Sequence, residues 1–148
     1  MALPKQACAV KFWLKMSNNY KVLILEDDLE TLGKLFQELY NLECEIEPKQ
    51  FEFTALSTFE QVEKLINAIP ASEFDVILLD RDCKLGGSFH TLDIDKFGPE
   101  KIISISSTPK WNEQAYTRGV TKVVLKEYDD LGRFAQKVCA EIKVVLGI

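Results

Sequence analysis

The segment FDVILLDRDC, from Phe74 to Cys83, is the most informative part of this sequence. Its centre is an uninterrupted apolar run, Val76 to Leu79, which ends at Asp80. A continuous apolar run of this length, bounded by polar residues, is typical of a strand that is buried on both faces of a parallel sheet. Ligands of open α/β sheets bind outside the carboxyl ends of the strands. The sequence therefore predicts that Asp80 lies where such a sheet carries its chemistry.

Four further segments read as strands, and helical segments separate all five. The other predicted strands are Lys21 to Leu25, Phe51 to Leu56, Lys101 to Ile105 and Val123 to Leu125. Apolar periodicity predicts helices over about Leu29 to Leu42, Phe59 to Ile69, Leu92 to Phe97, Trp111 to Arg118, and from Asp129 or Asp130 to Val145. The alternation predicts an α/β fold: a flavodoxin-like, doubly wound, five-stranded parallel sheet of order 2-1-3-4-5 with helices on both faces. The FEFTAL segment, Phe51 to Leu56, alternates as a half-exposed or edge strand does.

Composition excludes several classes of protein. The 148 residues suffice for one domain with one core, and the formal net charge is −5 without a cluster of lysines and arginines. Direct binding of nucleic acid is therefore not expected. The four cysteines form no CxxC pair and the only histidine is His90, so neither a zinc site nor a disulfide framework is indicated. Reduced thiols favour a cytoplasmic protein.

The first 19 residues read as an extension that precedes a domain of residues 20–148. Lys11 and Lys15 interrupt the apolar residues of this segment, which makes it a poor signal peptide, and the segment is too short to span a bilayer. No contact with a membrane is expected. Met16 lies just before the first strand, so the extension is either disordered, an added helix, or the product of an upstream start codon.

Polar residues follow the predicted strands at the point where each strand ends. They are Glu26, Asp27 and Asp28 after the first strand, Asp80 after the third, Ser106 and Ser107 after the fourth, and Lys126 after the fifth. Carboxylates gathered at one edge repel each other unless a cation lies among them, and their hard oxygens suit Mg²⁺. A lysine and a hydroxyl opposite such an ion would stabilise an oxyanion, as phosphoryl transfer requires. A carboxylate can itself be the nucleophile of that transfer.

The segments LILEDD, VILLD, ISISS and VVLK follow one another in an order that resembles the receiver domain of two-component response regulators. The resemblance extends from about Tyr20 to Gly147. It implies that Asp80 accepts a phosphoryl group from a histidine kinase or a phosphotransfer protein. It also implies that Glu26, Asp27 and Asp80 bind Mg²⁺ together with the backbone carbonyl of Asp82.

The same resemblance gives Ser106 the role of a switch hydroxyl and Lys126 the role of the lysine that pairs with the phosphoryl group. It implies a stand-alone signalling domain rather than an enzyme, with chemistry limited to its own phosphorylation and autodephosphorylation. Its output partner would bind the surface made by the fourth helix, fifth strand and last helix. A homodimer that forms on phosphorylation is a further expected partner.

Several positions depart from the family pattern, and two other functions stay open. Glu127 follows Lys126 where the family usually has proline, and Val123 stands where many receivers have an aromatic switch residue. These departures leave open a pseudo-receiver, a binding module of the same fold that is not phosphorylated. A Mg²⁺ phosphotransferase of the haloacid dehalogenase type is the third hypothesis, because Asp80 and Asp82 form a DxD pair. Asp28 is predicted to cap the first helix rather than to bind metal.

Overall fold

A five-stranded parallel sheet forms the centre of the protein, with strands in the order β2-β1-β3-β4-β5. The structure is a computed structural model and describes residues 19–148. The strands are β1 (Tyr20–Leu25), β2 (Phe51–Leu56), β3 (Val76–Leu79), β4 (Ile102–Ser104) and β5 (Lys122–Val123). This topology confirms the predicted flavodoxin-like fold. The predictions made for residues 1–18 lie outside the described residues.

Helices connect successive strands and lie against both faces of the sheet. They are α1 (Leu29–Glu45), α2 (Phe59–Gln61), α3 (Ile94–Phe97), α4 (Pro109–Thr117) and α5 (Leu131–Leu146). Helix α2 continues as a π-helical turn over Val62–Ile66, and 3₁₀ turns cover Ala71–Glu73, Phe89–Thr91, Pro99–Lys101 and Tyr128–Asp130. No helix within residues 19–148 is long and apolar enough to cross a lipid bilayer.

The apolar core consists of two layers, one on each side of the sheet. Because side chains of a strand alternate between faces, Val22 and Ile24 of β1 join one layer while Leu23 and Leu25 join the other. The first layer is covered by α1 and α5. The second layer is covered by α2 with its π turn, by α3 and by Ala115 of α4. All four residues of β3 are fully buried, as their continuous apolar run predicts.

The bounds of several predicted elements differ from those observed, and two of the differences have a structural reason. The helix expected from Phe59 to Ile69 ends at Ile66, because the N–H of Asn67 bonds to the carbonyl of Val62, five residues earlier, and widens the last turn. The fifth strand was expected at Val123 to Leu125 but occupies Lys122–Val123. Its regular ladder stops where β4 ends, because only Ile103 and Ser104 of β4 remain to pair with it.

Candidate functional site

The carboxyl ends of β1, β3 and β4, together with the segment after β5, surround one polar pocket of about 200 Å³. The pocket is lined by Glu26, Asp27, Asp28, Asp80, Asp82, Cys83, Lys84, Ser106, Ser107 and Tyr128. Parallel strands deliver their C-terminal residues to the same edge of the sheet, so residues as far apart in the chain as Glu26 and Tyr128 meet here. The structure thus brings together the acidic residues and the serine that the sequence singled out.

Lys126 lies beneath this pocket and bridges two of the carboxylates. Its Nζ donates to Glu26 Oε2 at 2.5 Å and to Asp80 Oδ2 at 3.1 Å. All three residues are buried, with exposures of 3% for Lys126, 1% for Glu26 and 7% for Asp80. The positive charge of the buried lysine offsets the negative charge of the carboxylates, whose burial away from water would otherwise cost free energy.

The shared environment changes the protonation of each group in this triad. Burial, followed by the neighbouring charge of Asp80, raises the pKa of Glu26 to about 7, against the attraction of Lys126. Burial also raises the pKa of Asp80, because it outweighs the attraction of Lys126. For Lys126, burial acts to lower the pKa, but the charges of Glu26 and Asp80 outweigh it and raise the pKa above its ordinary value. Lys126 is therefore the charged member around which the two acids are arranged.

The acidic cluster has the donor set of a divalent cation site. Glu26, Asp27 and Asp80 each offer a carboxylate oxygen, and the three oxygens lie within 4.8 Å of one another. When ionised, three carboxylates exceed the single charge of Lys126 by two, which a divalent ion would balance. Hard oxygen ligands favour Mg²⁺ over the softer transition metals. These residues therefore fit the magnesium ion that the sequence predicts.

The loop after β3 holds Asp27 and Asp82 at the rim of the pocket. The backbone N–H of Lys84 donates to Asp27 Oδ2 at 2.5 Å, which fixes that carboxylate. Asp82 lies opposite Ser88 in an isolated antiparallel bridge. In the two hydrogen bonds of this bridge, the carbonyl of Arg81 is an acceptor and the N–H of Cys83 is a donor. The carbonyl of Asp82, the predicted metal ligand, takes no part in those bonds.

Ser106 lies buried beside the pocket, and its position depends on a residue that the sequence analysis missed. The hydroxyl of Ser106 accepts from the N–H of Thr108 at 3.2 Å. The buried amide of Asn112 in α4 accepts from Ser106 N at 3.2 Å and from Ser104 Oγ at 2.6 Å, and donates to Ser106 O at 3.1 Å. The signal for this role is a polar residue three positions before Ala115, on the buried side of α4.

Asp28 has the structural role that the sequence predicts. Its Oδ2 accepts from the backbone N–H of Thr31 at 2.8 Å and from the hydroxyl of Thr31 at 2.6 Å, so it caps α1. These bonds, and its ion pair with Lys84 at 3.4 Å, lower the pKa of Asp28. The predicted N-cap is therefore confirmed.

A cation–π contact that the sequence did not indicate joins the loop after Asp80 to α4. The guanidinium carbon of Arg81 lies 3.7 Å from the ring centroid of Trp111, and Arg81 also pairs with Asp82 at 2.6 Å. Trp111 is half-buried under Arg81, so this side chain connects the Asp80 loop with the helix that follows Ser106.

Comparison with known proteins gives a match of structure alone. No protein-family model and no curated protein sequence matches the chain. A crystal structure of a response regulator receiver domain from Rhodospirillum rubrum superimposes with a TM-score of 0.59 over 85% of this chain and 94% of that one. The two sequences are 13% identical. The strand order, the acidic strand ends and this superposition lead to one conclusion, that the chain has the fold of a response regulator receiver domain.

Proposed function

We propose that this chain is a receiver domain whose Asp80 accepts a phosphoryl group in a Mg²⁺-dependent reaction. The observation that carries the proposal is the contact of Lys126 with Asp80 at 3.1 Å inside the cluster of three carboxylates. The domain would comprise residues 20–148, with residues 1–19 as an extension. A histidine kinase or a phosphotransfer protein is the proposed donor.

The chain's own groups account for each requirement of the transfer. A carboxylate oxygen of Asp80 attacks phosphorus and forms an acyl phosphate, while the bond from phosphorus to the donor's imidazole nitrogen breaks and that nitrogen leaves with the electron pair. Bound Mg²⁺, held by Glu26, Asp27, Asp80 and the carbonyl of Asp82, would neutralise charge on the phosphoryl oxygens. Lys126 would then pair with one of these oxygens.

Ser106 supports the reaction from the opposite side of the pocket. Its hydroxyl can turn from the N–H of Thr108 to donate to a phosphoryl oxygen, while Asn112 keeps the backbone of Ser106 in place. New charge on Asp80 would thereby be transmitted to the loop that begins α4.

An apolar groove between α4 and β5 is the proposed output surface. It has a volume of about 330 Å³ and is lined by Pro109, Asn112, Glu113, Tyr116, Val123 and Leu125. Tyr116 is 65% exposed, and Val123 and Leu125 are each 39% exposed. Such a patch suits a protein partner, or a second copy after phosphorylation, better than nucleic acid, in line with the net charge of −5. A cytoplasmic location, where a kinase would meet it, belongs to this proposal.

The test is the intact mass of the protein after incubation with acetyl phosphate and Mg²⁺. We expect one phosphoryl adduct that disappears in Asp80→Asn and when Mg²⁺ is chelated. Asp82→Asn is the matched control, because only the backbone carbonyl of Asp82 is assigned to the metal and its side chain is 60% exposed. This variant should keep the adduct.

One observation favours a pseudo-receiver as the second candidate. Lys126 lies closer to Glu26 than to Asp80, and the 1% exposure of Glu26 shows that its carboxylate is turned away from solvent. A site that keeps its lysine in this pair would neither bind Mg²⁺ nor accept phosphate. Absence of both the adduct and measurable Mg²⁺ binding would establish that candidate and exclude the first.

A further inference from the structure

Strand β2 forms an edge of the sheet that the described residues leave largely uncovered. Its four central residues, Glu52 to Ala55, are all exposed, whereas the faces of an α/β sheet are normally covered by helices. Phe53 is 59% exposed, and Tyr40 of the neighbouring helix α1 is 62% exposed. Because β5 forms the other edge of the sheet, this surface is separate from the proposed output surface.

An apolar groove runs along this edge between β2 and α1. Its volume is about 310 Å³, and its lining includes Phe36, Tyr40 and Phe53. The ring centroids of Phe36 and Phe53 lie 4.9 Å apart, so the two side chains form one continuous apolar surface. Phe53 pairs with Val22 of β1, whose side chain belongs to the core layer under α1. A strand added at this edge would therefore place alternate side chains in the groove.

The backbone of β2 also directs hydrogen-bonding groups to the open edge. The carbonyl of Gln50 accepts from Tyr20 N at 3.0 Å, so the even-numbered residues of this strand bond to β1. The N–H and carbonyl groups of Phe53 and Ala55 consequently point away from β1. Edge groups of this kind are the template on which another chain adds a strand.

Acidic side chains surround the end of the groove where β2 begins. A second groove of about 320 Å³ continues from the first, shares Tyr40 and Glu43 with it, and is also lined by Glu47. Glu43 accepts from Phe51 N at 2.8 Å, so the outward-facing N–H groups of β2 end here at a carboxylate. The exposed Glu52 lies on the other face of the strand. An added strand would thus meet carboxylates on both of its faces.

The two lysines beside these carboxylates are bound to other groups. Lys49 lines the second groove, but its Nζ donates to the hydroxyl of Tyr20 at 2.9 Å. Lys21 pairs with Glu52 in the sheet, but its Nζ donates to Glu73 at 3.2 Å. The edge therefore has an excess of negative charge. A second copy of the chain would set like charges against each other, whereas a basic segment is complementary to this edge.

We propose that the β2 edge binds an extended, basic segment of a partner protein, which joins the sheet as a sixth strand. Two apolar side chains of the segment, spaced two residues apart, lie in the groove opposite Phe53 and Ala55. The lysine or arginine side chains that follow meet Glu52 on one face of the sheet, and Glu43 with Glu47 on the other. Main-chain hydrogen bonds supply the affinity of such strand addition, and the alternate side chains supply its selectivity.

The test uses the synthetic peptide KKITIKK, which has the proposed pattern in either strand direction. Amide hydrogen exchange of the full chain is measured by NMR with and without the peptide. We expect the amides of Phe53 and Ala55 to exchange at least about tenfold more slowly when the peptide is saturating. The amide of Thr54, which is directed to β1, should change much less. The acidic peptide EEITIEE should not slow exchange, and equal effects of the two peptides, or no effect of either, would overturn the proposal.

Variants of the full chain locate the peptide on this edge. Phe53→Lys removes apolar surface and adds a like charge, so the dissociation constant of KKITIKK should rise at least about tenfold. Glu47→Lys should raise it at least about threefold at low salt. The matched control is Glu63→Lys, the same charge change at an exposed position on the other face of the sheet, which should bind as the unaltered protein does. Unchanged binding by both edge variants would contradict the proposal.

Exchange in the chain without peptide distinguishes a partner segment from other occupants of the edge. The amides of Phe53 and Ala55 should exchange rapidly while light scattering shows a monomer. Slow exchange in the free monomer would mean that the chain covers this edge itself. Slow exchange that appears only as a dimer forms at higher concentration would assign the edge to a second copy. Either result would overturn the proposal.

Discussion

At the scale of single residues, Lys126 is the group on which the buried acids depend. Lys126→Met would leave Glu26 and Asp80 buried without a counter-charge, and we expect the free energy of unfolding to fall by about 3 kcal/mol at pH 7. The control is Lys143→Met, which removes an exposed ion pair with Glu45 and should cost less than about 1 kcal/mol. Denaturant titration measures both values. Equal losses for the two variants would contradict this role of Lys126.

His90 makes the stability of the protein depend on acid pH. Burial, and then the charges of Arg118 and Arg81, lower the pKa of His90 from 6.5 to about 4, with a smaller opposing effect of Asp82. Below pH 6.5 the unfolded chain takes up a proton that the folded chain does not, so stability should fall from pH 6.5 to about 4. At about 1.4 kcal/mol for each pKa unit, a loss of about 1 to 3 kcal/mol is expected from this group.

Denaturant titrations at pH 7 and pH 4.5 test the contribution of His90. His90→Gln should remove it, so that the variant loses less stability between the two pH values than the unaltered protein. Parallel losses in both proteins would show that other groups cause the acid sensitivity.

At the scale of elements, the amide of Asn112 holds the end of β4 against α4. Asn112→Ala would leave Ser104 Oγ and the N–H of Ser106 without their buried partner, while the carbonyl of Ser106 keeps the bond from Lys126 N. The loss should cost about 2 to 4 kcal/mol. The phosphoryl adduct on Asp80 should also form more slowly, because Ser106 loses its fixed position. Asn41→Ala, at an exposed position of α1, should change stability by less than about 0.5 kcal/mol. If the two variants unfold at the same denaturant concentration and form the adduct at the same rate, this role of Asn112 is refuted.

The positions of helices and strands could be predicted from the sequence where the burial of apolar residues alone determines them. The four apolar residues of β3 can be satisfied only inside a covered sheet, and they are fully buried there. The end of α2 was not predictable, because the choice between an α turn and the π turn at Val62–Ile66 depends on packing with distant residues. The two-residue length of β5 likewise depends on where β4 stops.

At the scale of the whole molecule, the sequence predicted which residues meet but not how they bond. Glu26 and Lys126 are 100 residues apart and were expected at one edge of the sheet because both follow strands. Their direct ion pair, and the stack of Arg81 on Trp111, depend on side-chain directions that strand order does not determine. Asn112 was missed for the same reason, since its partners belong to another element.

Magnesium should stabilise the folded molecule if the acidic cluster binds it, because the unfolded chain has no assembled site. At ten times the dissociation constant the gain is about 1.4 kcal/mol, visible as a rise in the thermal midpoint that grows with Mg²⁺ concentration. Asp27→Asn should lose most of this gain, since Asp27 supplies one of the three clustered oxygens. Asp28 lines the same pocket, but an asparagine at this position can still cap α1, so the Asp28→Asn variant should keep the gain in stability. A midpoint that Mg²⁺ leaves unchanged in the unaltered protein, or shifts equally in both variants, would remove the cluster as a metal site and leave the fold without its proposed reaction.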